Sequence, residues 1–137
     1  MNTETKTILV VDDERAVRAV LESILERAGY LVLSGKDGAE GLRIFKQNQN
    51  NIALLLSDVM MPNMNGFELA DRVLELDSHL PVLFMSGDMQ QADRGWGCIA
   101  KPFTAYQLIS IVRQVLSTSI QCSVRRAAAS SSAEREV

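Results

Sequence analysis

Five short apolar runs, separated by stretches of helical periodicity, leave this chain few ways to bury its hydrophobic residues. The runs are Ile8-Leu9-Val10-Val11, Tyr30-Leu31-Val32-Leu33, Ile52-Ala53-Leu54-Leu55-Leu56, Val82-Leu83-Phe84-Met85 and Cys98-Ile99-Ala100. The first, third and fourth lack polar alternation, as central strands of a parallel sheet covered on both faces do. Between the first two runs, Val17, Val20, Leu21, Ile24, Leu25 and Ala28 recur at helical spacing, and Gly29 supplies a stop. Gly38 to about Asn48, with Ala39, Leu42, Ile44 and Phe45, reads as a second helix. Phe67 to Leu76 gives a third, and Ala105 to Leu116 the last, with Leu108, Ile109, Val112, Val115 and Leu116 along one stripe. Strands alternating with helices define an α/β fold, (βα)5.

A chain of 137 residues accommodates one such domain and buries enough surface to need no disulfide or structural metal. Cys98 and Cys122 are therefore read as reduced thiols. The opening residues Met1 to Lys6 lack the apolar stretch of a secretion signal, and no run is long enough to span a membrane, so the expected location is the cytoplasm. With 14 Lys and Arg against 17 Asp and Glu, direct nucleic-acid binding is not expected, because phosphate affinity needs clustered cations. Periodicity fails after Ser117. The expected organisation is an N-terminal extension over 1–5, a domain over 6–117, and a low-complexity, disordered tail or linker over 118–137, in which Arg125-Arg126 reads as solvated.

In open parallel sheets, ligands sit beyond the carboxyl ends of the strands. The residues closing the runs are Asp12 and Asp13, Asp58, Ser86 and Lys101. Any one of these alone is most simply a cap or turn former. Together they bring three carboxylates, a hydroxyl and a lysine to one edge. Three crowded acids repel one another; Lys101 offsets one charge, and a divalent ion bound by oxygen would neutralise the rest. Mg²⁺ suits that donor set, and the combination points to a phosphoryl-binding pocket in which one Asp is the nucleophile.

The segments Val10-Val11-Asp12-Asp13-Glu14, Ser57-Asp58-Val59-Met60-Met61-Pro62-Asn63-Met64-Asn65-Gly66, Met85-Ser86-Gly87 and Lys101-Pro102-Phe103 together resemble the receiver domain of bacterial two-component response regulators, with a CheY-like, flavodoxin-like fold. Pro81 to Gly87 also resembles receivers attached to hybrid sensor kinases. The resemblance implies a doubly wound five-stranded parallel sheet of order 2-1-3-4-5. It implies that Asp58 accepts a phosphoryl group from a phosphohistidine of a sensor histidine kinase or histidine phosphotransfer protein, with Mg²⁺ held by Asp13, Asp58 and the Met60 backbone carbonyl, and by Asp12 through water. Lys101 would pair with phosphoryl oxygens, Ser86 would follow the new group, and Gly87 would leave space beside it. Met60 and Asp88 would tune its lifetime. The Lys101-Pro102 bond is expected cis, and Pro62, Asn65 and Gly66 are expected to shape the loop after Asp58, with glycine free to take a positive φ.

The chain departs from that pattern in two places. Fourteen residues separate Ser86 from Lys101, so Met89 to Arg94 can supply only a shortened fourth helix, and Gly95-Trp96-Gly97 reads as a flexible connector. This puts in doubt output, and dimerisation, through the surface beside that helix. Cys98 occupies the position of the family's aromatic switch, and a small thiol cannot swing as a ring does; Trp96 is a weak substitute. His79 is read as a surface loop residue, and Met60, Met61 and Met64 as packing residues. Two other classes compete with a signalling module that catalyses only its own phosphorylation and dephosphorylation. One is a Mg²⁺-dependent phosphatase of the haloacid dehalogenase type, which needs a second acid where Met60 stands. The other is a pseudo-receiver scaffold that is never phosphorylated. No glycine loop for ATP is present. The cognate kinase, the downstream protein and the oligomeric state are not written in the sequence.

Overall fold

The computed structural model describes residues 5–87 and 97–117. The chain runs β1 (Thr7–Val11), α1 (Arg15–Arg27), β2 (Leu31–Gly35), α2 (Gly38–Gln47), β3 (Ile52–Asp58), α3 (Gly66–Leu76), β4 (Val82–Ser86), β5 (Gly97–Ala100) and α4 (Ala105–Ser117). All neighbouring strands are parallel and lie in the order β2-β1-β3-β4-β5, the order expected from the resemblance. The three runs without polar alternation are the three inner strands. The expected short helix over Met89 to Arg94, Asp88, Trp96, and the tail with Cys122 and Arg125-Arg126 lie outside the described residues.

Strand periodicity divides the core between two faces. Ile8, Val10, Leu54, Leu56, Leu83 and Met85 pack with Leu21 and Leu25 of α1 and Leu108 and Val112 of α4. Leu9, Val11, Leu55 and Phe84 pack on the other side with Phe45 of α2 and Phe67, Leu69, Ala70 and Val73 of α3. Alternate residues along a strand point to opposite faces, so a continuous apolar run feeds both layers. The Phe67 and Phe84 rings meet edge to face at 4.8 Å, linking α3 to β4.

Local chemistry fixes where the helices start. Asp37 accepts the Glu40 N–H at 2.8 Å and caps α2. Asn65 and Glu68 form a reciprocal capping box on α3, each bond 2.9 Å long. Thr104 and Gln107 make the same exchange before α4. α1 has no side-chain cap of its own at Glu14.

Several local expectations need correction. β2 starts at Leu31 rather than Tyr30 and runs on to Gly35, whose carbonyl accepts the Asp12 N–H. Gly97 is the first residue of β5, paired with Leu83, and not part of a connector. Val20 lies at the edge of the α1 stripe and is 57% exposed, because Leu21 and Leu25 already fill the groove above the sheet. Ala39 of α2 is likewise exposed.

Helix α2 lies close on the sheet because Gly41 faces β1. A Cβ there would fall 2.7 Å from Val11 Cγ2, a β-branched side chain with no room to retreat in the core. Helix propensity alone would make Gly41→Ala stabilising by about 1 kcal/mol. The close approach reverses the sign, and we expect a loss of about 1–3 kcal/mol, as for other overpacked positions. Urea unfolding measures it, and a net gain would contradict the packing described.

Candidate functional site

Each strand-end residue arrives at the same edge by parallel register. Asp58 closes β3 and pairs with Met85, one residue before Ser86 closes β4; Ser86 in turn pairs with Ala100, one residue before Lys101. Val11 pairs with both Gly35 and Ser57, which sets Asp12 beside Asp58. One carboxylate oxygen from each of Asp12, Asp13 and Asp58 lies within 4.8 Å of the others. Asp12, Asp58 and Ser86 are buried, while Asp13 is exposed at the mouth. Ser86 also receives the Lys101 N–H on its backbone carbonyl at 2.9 Å.

Lys101 is the cation of the cluster. Its Nζ stands 3.4 Å from Asp12 Oδ2 and 3.4 Å from Asp58 Oδ2. The Lys101-Pro102 peptide is cis, as expected. Asp12 is held on all sides: its N–H donates to Gly35 O, its Oδ1 accepts the Glu14 N–H at 2.9 Å, and its backbone carbonyl accepts Arg18 Nη1 at 2.8 Å. The Glu14 bond also ties the uncapped start of α1 to the acid.

The loop after Asp58 is built differently from the expected turn. Its left-handed residue is Asn63, at φ 71°, and not Gly66. Asparagine tolerates that region better than most side chains. Gly66 is required for another reason, since a Cβ on it would lie only 2.3 Å from the Asp58 carbonyl oxygen. That same carbonyl accepts the Ser57 hydroxyl at 2.9 Å, so Asp58 is clamped from two sides. Met61 is buried and Met64 packs against the core, but Met60 is 60% exposed beside the cluster and is not a packing residue. His79 is exposed in the loop between α3 and β4, as expected. Cys98 is half-buried in β5, where burial pushes its thiol pKa up and keeps it protonated.

The charges of the site are interdependent. Burial raises the Asp58 pKa above the ordinary carboxylate value; Lys101 pulls it back, Asp12 pushes it up, and hydrogen bonds from Lys101 and the Met60 N–H lower it, leaving a net rise. Burial alone would lower the Lys101 pKa, but Asp12 and Asp58 outweigh it and hold the ammonium above its usual value. Three carboxylates against one ammonium leave two negative charges in a half-enclosed space. A hard divalent cation with oxygen preference fits that donor set, and Mg²⁺ is suited to it because it needs few protein oxygens. A hollow of about 740 Å³ elsewhere, lined by strand starts such as Thr7, Leu31 and Ile52, lies at the opposite edge of the sheet.

Sequence reasoning named Asp12, Asp13, Asp58, Ser86 and Lys101, and the fold brings their positions to one edge. It missed Ser57 and Arg18, whose side chains donate to backbone carbonyls of the acids, and Gly35, whose own carbonyl accepts the Asp12 N–H. Only Arg18 left a trace, as a basic residue in a helix start that follows three acids.

Comparison with known proteins agrees with this geometry. The family profile described as "Response regulator receiver domain" matches residues 8–113, and the chain belongs to that family. Receiver domains of this family are the phosphoacceptor modules of two-component signalling. The chain is 34% identical over 121 residues to the probable transcriptional regulator ycf27 of Guillardia theta, which covers 82% of this chain and 46% of that protein. It thus spans about half the length of the curated relatives it matches. The receiver domain of the hybrid histidine kinase CckA is 38% identical, with a TM-score of 0.72 over 80% of this chain and 98% of that one. The response regulator TrrA of Thermotoga maritima, solved in complex with Mg²⁺ and BeF, is 27% identical, with a TM-score of 0.73 over 81% of this chain and 99% of that one. Among the described residues, no helix is long and apolar enough to cross a membrane.

Because the folded chain holds the Asp58 proton more tightly than the unfolded chain, its contribution to stability is full below the ordinary value of 3.8 and is lost as pH rises through the raised value. We expect Asp58→Asn to remove that loss and to unfold at higher temperature than wild type at pH 7 in EDTA. Lys101 works in the opposite sense: its contribution is full below 10.5 and lost only as pH rises through its raised value. Lys101→Met should therefore destabilise at pH 7, by about 1–3 kcal/mol after allowance for its partial exposure. Equal melting of all three proteins would contradict the charge balance described.

Proposed function

We propose that residues 6–117 form a receiver in which Asp58 takes a phosphoryl group from a phosphohistidine, and that the change at the site is passed on as a change of shape. The observation that carries this reading is the placement of Lys101 between the Asp12 and Asp58 carboxylates, at 3.4 Å from each. A cation so placed can exchange a carboxylate partner for a phosphoryl oxygen without moving far. An Asp58 oxygen forms the new P–O bond as the P–N bond to imidazole breaks, and the electron pair stays on the ring nitrogen. Ser86, at the end of β4, is the hydroxyl suited to follow the phosphoryl group, and Gly87 adds no side chain at the mouth.

Asp13, Asp58 and the Met60 carbonyl would hold Mg²⁺, with Asp12 acting through water. When bound, the ion neutralises the clustered carboxylates and the charge on the transferring phosphoryl oxygens. Arrival of the phosphoryl group draws Lys101 off the acids of β1 and β3 and engages Ser86, so the ends of β4 and β5 report occupancy. The partner is a sensor histidine kinase or a histidine phosphotransfer protein, and the work is done in the cytoplasm. Met60, exposed and apolar two residues after Asp58, disfavours a haloacid-dehalogenase-type phosphatase, which needs an acid there.

Incubation with acetyl phosphate and Mg²⁺ followed by intact-mass measurement tests the reading. Wild type should gain the mass of one phosphoryl group, in a form stable to acid and labile to base. Asp58→Asn should gain none, and EDTA should abolish the gain in wild type. A phosphorylated Asp58→Asn chain, or continuous turnover of a small phosphate ester, would overturn it.

A further inference from the structure

The start of α1 is costly for a helix considered alone. Its first turn carries no acidic residue, no side chain caps it, and Arg15 and Arg18 stand near the positive end of the helix dipole. Cations there are unfavourable to the helix, and side-chain capping is the usual remedy. Arg18 is also not free to lean away into solvent. It is half-buried, and its Nη1 donates to the Asp12 backbone carbonyl at 2.8 Å.

That carbonyl belongs to the peptide unit joining Asp12 to Asp13, two of the three acids of the cluster. The two sides of this unit are not equally supported. Asp12 is fixed through its N–H on Gly35, its Oδ1 on the Glu14 N–H and its Oδ2 beside Lys101. Asp13 is exposed, and its carboxylate is aimed by the backbone that carries it. The plane of the Asp12–Asp13 peptide therefore sets the separation between the Asp13 oxygen and those of Asp12 and Asp58. Arg18 holds that plane with a short, charge-assisted bond from a planar guanidinium.

We infer that Arg18 is a positioning residue for the divalent cation: by pinning the Asp12–Asp13 peptide it preorganises the three carboxylates. This rests on the reading of the acid cluster as a Mg²⁺ site. The expected change in affinity is opposite in sign to the electrostatic one. Removing a positive charge close to a cation site should tighten cation binding by simple Coulomb attraction. Loss of preorganisation acts the other way, and groups that orient metal ligands from behind cost about 10–100-fold in affinity when removed.

The test is calorimetric titration of Mg²⁺ into wild type, Arg18→Met and Arg18→Lys, with thermal unfolding of each in EDTA. We expect both variants to bind Mg²⁺ about tenfold more weakly. Arg18→Lys should weaken binding even though the charge is kept, because an ammonium cannot reproduce the guanidinium geometry. The unfolding temperature of Arg18→Met in EDTA should stay close to wild type, since α1 loses an unfavourable cation as it loses the bond. Unchanged or tighter Mg²⁺ binding by Arg18→Met would overturn the inference while leaving the site reading intact. A parallel fall in EDTA stability with no change in affinity would make Arg18 merely structural, and also overturns it. Should wild type itself bind no Mg²⁺, both this inference and the reading beneath it fail. If Arg18→Met does not fold, Arg18→Lys alone decides by the same criterion.

Discussion

Everything at the carboxyl edge of the sheet depends on one ammonium group shared between two buried carboxylates. Lys101 comes from the end of β5, an edge strand, and reaches across β4 to Asp12 and Asp58 at the ends of β1 and β3. Without it the sheet would close on two buried acids that repel one another. With it the cluster still holds three acids against one lysine, a donor set that could hold a metal ion. The lysine is the ion-pair partner common to both buried acids, and it is itself only partly buried.

The sheet makes such an arrangement possible because parallel register delivers successive strand ends to one side. Central strands are apolar on both faces, so the charged and hydroxyl groups of Asp12, Asp58 and Ser86 fall at or just past the strand ends, where side chains can converge. The rest of the site is held through backbone atoms. Ser57 and Gly66 confine the Asp58 carbonyl, while Gly35 and Arg18 fix the Asp12 peptide groups. The carboxylates thus rest on a hydrogen-bonded, closely packed frame, the kind of support that preorganised sites use.

Much of this was legible in the residue order. The apolar runs marked the inner strands because burial on both faces removes polar alternation, and the acids, serine and lysine declared themselves by closing those runs. What escaped depended on three-dimensional proximity. Val20 fitted the helical stripe but lies at its edge, where Leu21 and Leu25 had already filled the groove. Gly66 offers conformational freedom, yet the turn takes its left-handed residue at Asn63 and needs Gly66 for clearance. Met60 looked like its buried neighbour Met61, because composition does not say which side of a loop faces solvent. Arg18 left only a faint trace, a basic residue in a helix start after three acids, because its partner is a backbone carbonyl that no residue type announces.

The central claim is that Asp12, Asp13, Asp58 and Lys101 form one pocket for a divalent cation and a phosphoryl group. A crystal structure of the chain with magnesium and beryllofluoride tests it most directly. The account predicts a cation among the three carboxylates, a tetrahedral beryllofluoride joined to an Asp58 oxygen, and Lys101 paired with a fluorine. A cation bound elsewhere, or a pocket still empty at saturating concentrations of both, would contradict it.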